Sequence, residues 1–322
     1  MSSERIWNTG EWRQVATDWL DEHLGAAGIR RTGEVTQPRV RPWGTVLTAE
    51  TSAGRVWLKA PGPETVFEVR LYELLRKIAP EWIVPPIALD LGQGLLLLPD
   101  GGTTLWESGT DPVEGMLRVL PQYAQLQRHL MPHVENLLAA GVADMRAPVM
   151  LERFDEAVAA VARRASPQDT DLVRQIAARR DVVAGWCEQL GALSIPASLD
   201  HNDLHAKNVF VDGGRTRFYD WGDSVVAHPF ASMIVGWQGV ALMHGLAPDD
   251  PAMNRLRDAY LEPFGDLAPR GELVVQLELA CRVGVIARTL VWERALAAGD
   301  GTSDFETGPL ETLRSVLRDE WS

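Results

Sequence analysis

The chain has 322 residues, 46% of them apolar, and a formal net charge of -13 at pH 7. That length and apolar content predict a globular protein with a sizeable core, arranged as one large two-lobed unit or two modest domains. The charge argues against nonspecific nucleic-acid binding, which needs a basic face that the sequence lacks; it fits a solvated acidic surface, and is compatible with a cationic small substrate. Cys187 and Cys281 are the only cysteines, both in apolar helix-like contexts, so neither a disulfide framework nor a cysteine metal site is expected. They read as buried free thiols of a reducing cytosol. The opening MSSERIWNTGEWRQ has no apolar signal-peptide core. The longest apolar tract, Ala231 to Ala247, falls short of the roughly 20 residues of a membrane span and predicts a buried helix. The expected location is cytoplasmic, with no membrane or nucleic-acid partner.

Trp12, Val15, Ala16, Trp19, Leu20, His23 and Leu24 recur at helical spacing and predict an amphipathic helix ending near Gly25 or Gly28, packed on a sheet. From Gly33 to Ala60 the pattern becomes β, with runs at Val35 to Val40, Thr45 to Glu50 and Arg55 to Leu58 separated by Pro42, Gly44, Ala53 and Gly54. These are three consecutive antiparallel strands. Lys59 stands at the end of the third; alone, such a lysine is an ordinary solvated residue. A helix over Glu64 to Ile78 follows, carrying Glu68 and Glu73, five residues apart and therefore unable both to face Lys59. Strands around Ile87 to Leu89 and Leu95 to Leu98 complete the set; the second is wholly apolar, as a central strand should be. Pro99 to Gly102 then reads as a linker.

Beyond Gly102 helices are predicted over Val113 to His129, Met150 to Ala165, Thr170 to Leu190, Phe230 to Leu246, Ala252 to Leu261, Glu272 to Ala297 and Leu310 to Trp321. The exception is HNDLHAKNVFVDGGRTRFYDWGD, His201 to Asp223, which crowds polar groups around an Asp-Gly-Gly turn. Val209 to Val211 and Arg217 to Tyr219 are short β-prone runs, so the segment predicts a hairpin that Asn208 enters and Asp220 leaves. Opposed ends of an antiparallel pair lie about 5 Å apart. Two hard oxygen ligands at that separation suit Mg²⁺, with phosphates and water filling the octahedron. Asp203, on the preceding polar loop, is free to face the same phosphate without binding the metal.

A five-strand lobe with lysine on strand three and glutamate on the next helix, a short connection, and a helical lobe with D-x-x-x-x-N before a hairpin and Asp resembles the protein-kinase-like fold. HNDLHAKN followed by YDWGD is similar to the aminoglycoside phosphotransferase and choline kinase family. The resemblance implies an α+β bilobal fold: a small antiparallel five-stranded nucleotide-binding lobe over residues 1–99, and a larger, mainly helical catalytic and substrate-binding lobe over 100–322. It implies ATP, or GTP, as phosphoryl donor, Mg²⁺ as cofactor, and a hydroxylated small molecule such as an antibiotic, a sugar or an amino alcohol as acceptor. By position, Asp203 is the base, Asn208 and Asp220 hold Mg²⁺, Lys59 contacts the α and β phosphates, and Glu68 rather than Glu73 holds Lys59. Backbone groups of Leu97, Leu98 and Asp100 meet the purine edge. The chain departs from the family in lacking G-x-G-x-x-G: Arg41-Pro42-Trp43-Gly44 leaves only Gly44 for close backbone approach, with Arg39 or Arg41 as candidate helpers. Ser232 also stands where the family places a loop-anchoring aspartate.

Several residues keep two readings. His201 is a satisfied structural histidine or a proton shuttle; His205 and Lys207 reach phosphate or substrate, or are solvated; Asp223 is a second metal or water ligand, or a cap; Asp223 and Glu293 are candidates to greet a cationic acceptor. Two other functions are consistent with parts of the chain. His201, Asp203 and His205 alternate as H-x-D-x-H and could bind Zn²⁺ in a hydrolase if the segment were a strand. Alternatively the fold is a catalytically silent nucleotide-binding module, against which stands the intact set Lys59, Asp203, Asn208 and Asp220.

Overall fold

A computed structural model describes residues 3–247, 250–297, 299 and 305–318. After a short helix α1 (Ser3–Trp7), α2 (Gly10–Ala26) starts at Thr9, whose hydroxyl accepts the Trp12 N–H at 3.2 Å. Strands β1 (Thr36–Arg41), β2 (Gly44–Thr51) and β3 (Gly54–Pro61) follow, then α3 (Phe67–Ile78), β4 (Ala88–Asp90) and β5 (Leu95–Pro99). They form one antiparallel sheet in the order β1-β2-β3-β5-β4. The apolar β5 is therefore internal, flanked by β3 and β4, as its composition requires. Ala16, Trp19, Leu20 and Leu24 of α2 pack on Leu47, Val56, Leu58, Leu95 and Leu97, so one sheet face is closed by the opening helix.

The later chain is mostly helical: α4 (Pro112–Leu130), α5 (Val134–Ala139), α6 (Ala147–Arg164), α7 (Thr170–Ala177), α8 (Arg180–Gly191), α9 (Met233–His244), α10 (Pro251–Leu261), α11 (Arg270–Leu296) and α12 (Gly308–Leu313). Both α4 and α10 begin with proline after an aspartate that accepts a first-turn N–H. Three findings correct the helical reading. Thr170 to Leu190 is two helices, broken at Ala178 and Arg179, where no glycine or proline marks the break. Phe230 to Leu246 opens as a tight 3-10 turn, Pro229–Ser232, before α9. The final helix ends earlier, passing into a 3-10 turn to Leu317, and the expected residues from 319 onward lie outside the described residues.

The remaining strands are short. β6 (Ala143–Asp144), β7 (Ser198–Asp200) and β10 (Val225–Ala227) form a small sheet in the order β6-β10-β7, unforeseen because two or three residues carry no periodic pattern. β8 (Val209–Asp212) and β9 (Arg215–Phe218) are the expected hairpin, joined by Gly213 and Gly214 at φ 53° and 87°, the left-handed pair that a tight hairpin turn demands.

The chain divides into two compact units. The first comprises residues 1–102 with two later segments, 217–222 and 294–306; the second comprises 103–216, 223–293 and 307–322. Among the described residues no helix is long and apolar enough to cross a membrane.

Candidate active site

In the first unit, strand alternation puts Val56, Leu58 and Ala60 of β3 on the face covered by α2, and Lys59 on the other. Glu68, in the first turn of α3, is fully buried and meets the Lys59 ammonium at 2.7 Å. Glu73 is instead paired with Arg76 and Lys77 on its own helix, each at 2.6 Å. Asp220 is the second partner of Lys59, with Oδ1 at 2.5 Å. Burial pulls the lysine pKa down, but the Asp220 and Glu68 carboxylates outweigh it and hold the ammonium protonated well above its usual range.

The loop carrying Asp220 is fixed on three sides. Asp220 itself has φ 63°, a left-handed conformation that aspartate tolerates better than most residues. A side chain at Gly222 would sit 3.3 Å from Glu68 Oε2, so glycine lets the loop approach. Arg294 donates to the Gly222 carbonyl at 3.0 Å and lies over the Phe67 ring. Tyr72, one turn beyond Glu68, is buried against Asp220; burial, then the Glu68 and Asp220 charges, push its phenol well up. Arg294 and Tyr72 escaped the sequence reading: each lies in an ordinary helical pattern.

At the β1–β2 turn, the Trp43 carbonyl accepts bonds from Gly62 N–H and Thr65 Oγ1, both at 2.8 Å. Gly44 is required by packing, since a Cβ there would lie 3.2 Å from the Ala60 carbonyl. Arg39 and Arg41 are exposed. On β5, the Leu97 carbonyl accepts from Ile87 N–H at 2.8 Å and the Asp100 N–H donates to the Arg55 carbonyl at 2.9 Å, so both groups are spent inside the sheet. Pairing with β4 stops at Leu97, and Leu98 faces Trp57 of β3.

In the second unit, β7 ends at Asp200 and the chain passes through Asn202 at φ 61° to Asp203. Asp203 Oδ1 accepts from Arg288 Nη2 at 3.1 Å; Oδ2 faces Asn208 Nδ2 at 3.2 Å and His205 Nε2 at 3.3 Å. Burial raises the Asp203 pKa, but the His205 bond and the Arg288 charge outweigh it and keep the carboxyl ionised far below its ordinary range. His205 Nδ1 accepts the Lys207 N–H, which assigns the ring proton to Nε2, the nitrogen turned toward Asp203. Asn208 spends its amide NH₂ on the Asp203 carbonyl and carboxylate, leaving its carbonyl oxygen to act as acceptor or ligand. Lys207 is exposed, its ammonium 4.9 Å above the Trp106 ring. Arg288 Nη1 bonds the Asn202 carbonyl at 2.7 Å and Asp223 Oδ2 at 2.9 Å, so Asp223 is an ion-pair partner of this arginine. Arg288 was missed; its one signal is a charge within the otherwise buried run Val285 to Thr289 of α11.

Behind the loop lies a buried network. Ser232 Oγ donates to Asp200 Oδ1 at 2.5 Å and meets Tyr123 Oη at 2.7 Å; Tyr123 Oη accepts the His201 N–H at 2.9 Å. Asp200 also accepts the Asn202 N–H at 2.7 Å, and Gln127 bridges Tyr123, Ser232 and two carbonyls. Burial pushes the Asp200 pKa up against these bonds. A serine at 232 thus leaves the loop anchored, with the carboxylate supplied by Asp200. His201 is fully buried in this network. The H-x-D-x-H zinc arrangement finds no support: residues 201–205 are irregular backbone rather than a strand, and among the described residues no group of three or more His, Cys, Asp or Glu is placed to hold a metal.

The sequence matches the profile of the Phosphotransferase enzyme family, APH, over residues 59–273, a span that opens at Lys59 and closes before Arg288. No curated protein matches the chain. Among solved structures it is similar to macrolide 2'-phosphotransferase type I, with a TM-score of 0.57 at 16% identity over 95% of this chain and 97% of that one. It is also similar to a Plasmodium vivax ethanolamine kinase, with a TM-score of 0.63 at 12% identity over 97% and 90%. A choline/ethanolamine kinase family protein from Mesorhizobium loti gives 0.58 at 18% identity over 94% and 95%. At these identities the similarity is one of fold: a five-stranded antiparallel sheet and a helical region, the α+β kinase-like architecture.

Proposed function

The chain belongs to the phosphotransferase enzyme family, and on that premise we propose that it is an ATP-dependent, or GTP-dependent, O-phosphotransferase acting on a hydroxyl of a small molecule. The observation that carries this reading is Lys59, held at 2.7 Å by Glu68 and at 2.5 Å by Asp220, a fixed ammonium beside a carboxylate of the kind that receives nucleotide phosphates.

In this reading Lys59 binds the α and β phosphates and Glu68 keeps its ammonium in place. Asp220 and Asn208 would hold Mg²⁺: one offers a partly exposed carboxylate, the other an amide oxygen whose NH₂ is already engaged, which is the hard-oxygen set the ion prefers. When bound, Mg²⁺ neutralises phosphate charge and aligns the transferring group. Asp203 accepts a hydrogen bond from the acceptor hydroxyl and takes its proton. The acceptor oxygen bonds to the γ phosphorus as the bond to the β–γ bridging oxygen breaks, and the nucleoside diphosphate leaves with that electron pair. Positioning and charge supply most of the rate. The purine edge meets backbone beyond Leu97, where β4 pairing ends, rather than the Leu97 carbonyl or the Asp100 N–H, which are spent inside the sheet.

The test is Mg²⁺-dependent nucleotide consumption across hydroxylated antibiotics, sugars, polyols and amino alcohols, with phosphorylated product identified by mass. Turnover should appear with at least one acceptor and collapse in Asp203→Asn. Unchanged turnover in that variant, or none with any acceptor, refutes the reading.

A further inference from the structure

Arg288 reaches the proposed base from α11, beyond the residues that the family profile matches. Its Nη2 donates to Asp203 Oδ1 at 3.1 Å, while Nη1 donates to the Asn202 carbonyl at 2.7 Å and to Asp223 Oδ2 at 2.9 Å. The side chain is 11% exposed and lies 4.9 Å from the Trp292 ring, so the guanidinium is fixed by its face as well as its edge. The helix is held too. At Gly284, one turn before the arginine, an added Cβ would lie 2.8 Å from Ala231 Cβ, so glycine lets α11 close on the turn Pro229–Ser232. Ser232 of that turn bonds Asp200, which accepts the Asn202 N–H. Asn202, the left-handed residue that delivers the chain to Asp203, is therefore gripped at its N–H by Asp200 and at its carbonyl by Arg288.

The contacts also single out one oxygen of the base. An ionised carboxylate has about four lone-pair directions over its two oxygens. Oδ2 faces Asn208 Nδ2 at 3.2 Å and His205 Nε2 at 3.3 Å, which fills it, whereas among the described residues Oδ1 meets Arg288 alone. The Asp203 side chain keeps 25% of its surface exposed, as a group that must meet a substrate requires. None of the Arg288 partners belongs to the set proposed for nucleotide phosphates or Mg²⁺.

We propose that Arg288 is a positioning residue for the transfer step: it fixes the Asn202 turn and the Asp203 carboxylate so that Oδ1 is the atom that meets the acceptor hydroxyl. The hydroxyl proton passes to Oδ1 while the acceptor oxygen bonds to the γ phosphorus and the β–γ bridging oxygen leaves with the electron pair. Asp223 acts through the arginine, by holding the other half of its fork. This role rests on the phosphotransferase reading.

The experiment uses the full chain with Mg²⁺ and ATP. The acceptor is the compound that wild type phosphorylates fastest among hydroxylated antibiotics, sugars, polyols and amino alcohols. Arg288→Met should lower kcat by about 10²-fold, the effect of misplacing a reacting group by ~1 Å, and leave the KM for ATP unchanged. Arg288→Lys keeps a cation but no fork, and should lose at least about tenfold in kcat with the same KM for ATP. The double variant Arg288→Met with Asp223→Asn should be no slower than Arg288→Met alone. A wild-type kcat in Arg288→Lys, a KM for ATP that rises as kcat falls, or a double variant slowed by the product of the single losses overturns the role while the phosphotransferase stands. No turnover by wild type with any acceptor defeats the phosphotransferase reading, and the role with it. Where Arg288→Met fails to fold, Arg288→Lys decides, since it keeps a positive charge opposite both carboxylates.

Discussion

At the candidate site each unit sets a cation between two carboxylates, and the two arrangements are built differently. In the first, Lys59 lies between Glu68, which is 1% exposed, and Asp220, which is 34% exposed. One partner is fixed by burial in a helix and the other sits on an open loop, so a compact ammonium can exchange its outer partner for a ligand oxygen while keeping the inner one. In the second, Arg288 spends its planar fork on two carboxylates and a backbone carbonyl while its face stacks on Trp292. Such a group holds geometry; it does not exchange. In the proposed reading, the difference separates a cation that would receive nucleotide phosphate from one that would shape the surroundings of the base.

Variants that remove one arm of each cluster test that contrast. Asp203→Asn should lower turnover by about 10²- to 10⁴-fold, whereas Asp223→Asn, which cuts the other arm of Arg288, should cost far less; equal losses in initial-rate assays would erase the distinction between base and support. In the lysine cluster, Lys59→Met takes the ammonium away from the buried Glu68 carboxylate and should cost about 3–5 kcal/mol in chemical unfolding. Adding Glu68→Leu to that variant should restore much of the loss, and a double variant no more stable than the single would show that the pair is not coupled. A smaller effect is expected behind the catalytic loop, where Ser232→Ala removes the hydroxyl between Asp200 and Tyr123 and should cost about 1–3 kcal/mol. A lever that acts only on acidification is His228, whose pKa burial lowers to about 3. The unfolded chain takes up a proton there that the folded chain refuses, so stability should fall by about 1.4 kcal/mol per pH unit as pH drops from 6.5 toward 3. His228→Asn, which can still accept the Phe230 N–H, should flatten that slope in unfolding midpoints measured across the range.

The lysine cluster was largely legible in the sequence because its parts lie on elements with strong periods. Alternation located β2 and β3, helical spacing located α3, and two glycines at the turn located the hairpin leading to Asp220. The arginine cluster was legible only in part. Asp203, Asn208 and Asp223 stand close together in one motif, but Arg288 comes from α11, 85 residues beyond Asp203, and a single arginine in a helix looks like surface. Tyr123 and Gln127 were opaque for a related reason, while Ser232 was legible as the anchor position but not by its partners. Their side chains point inward among apolar neighbours, and only the fold reveals that they bond one another. The β6-β10-β7 sheet was opaque because its strands are too short to alternate.

The first unit draws residues 217–222 and 294–306 from far along the chain. During synthesis, Lys59 and Glu68 leave the ribosome together, while Asp220 follows Lys59 by 161 residues. At ~5–20 residues per second that is a wait of roughly 10–30 s. Until then the lysine has its inner carboxylate alone, and the loop that completes the cluster, with the Arg294 that clamps it, arrives only after most of the second unit has been made. A nascent chain stopped just past Gly102 would therefore display the sheet and its ion pair with the outer partner missing, and protease resistance of Asp220's loop would appear as one of the last events of synthesis.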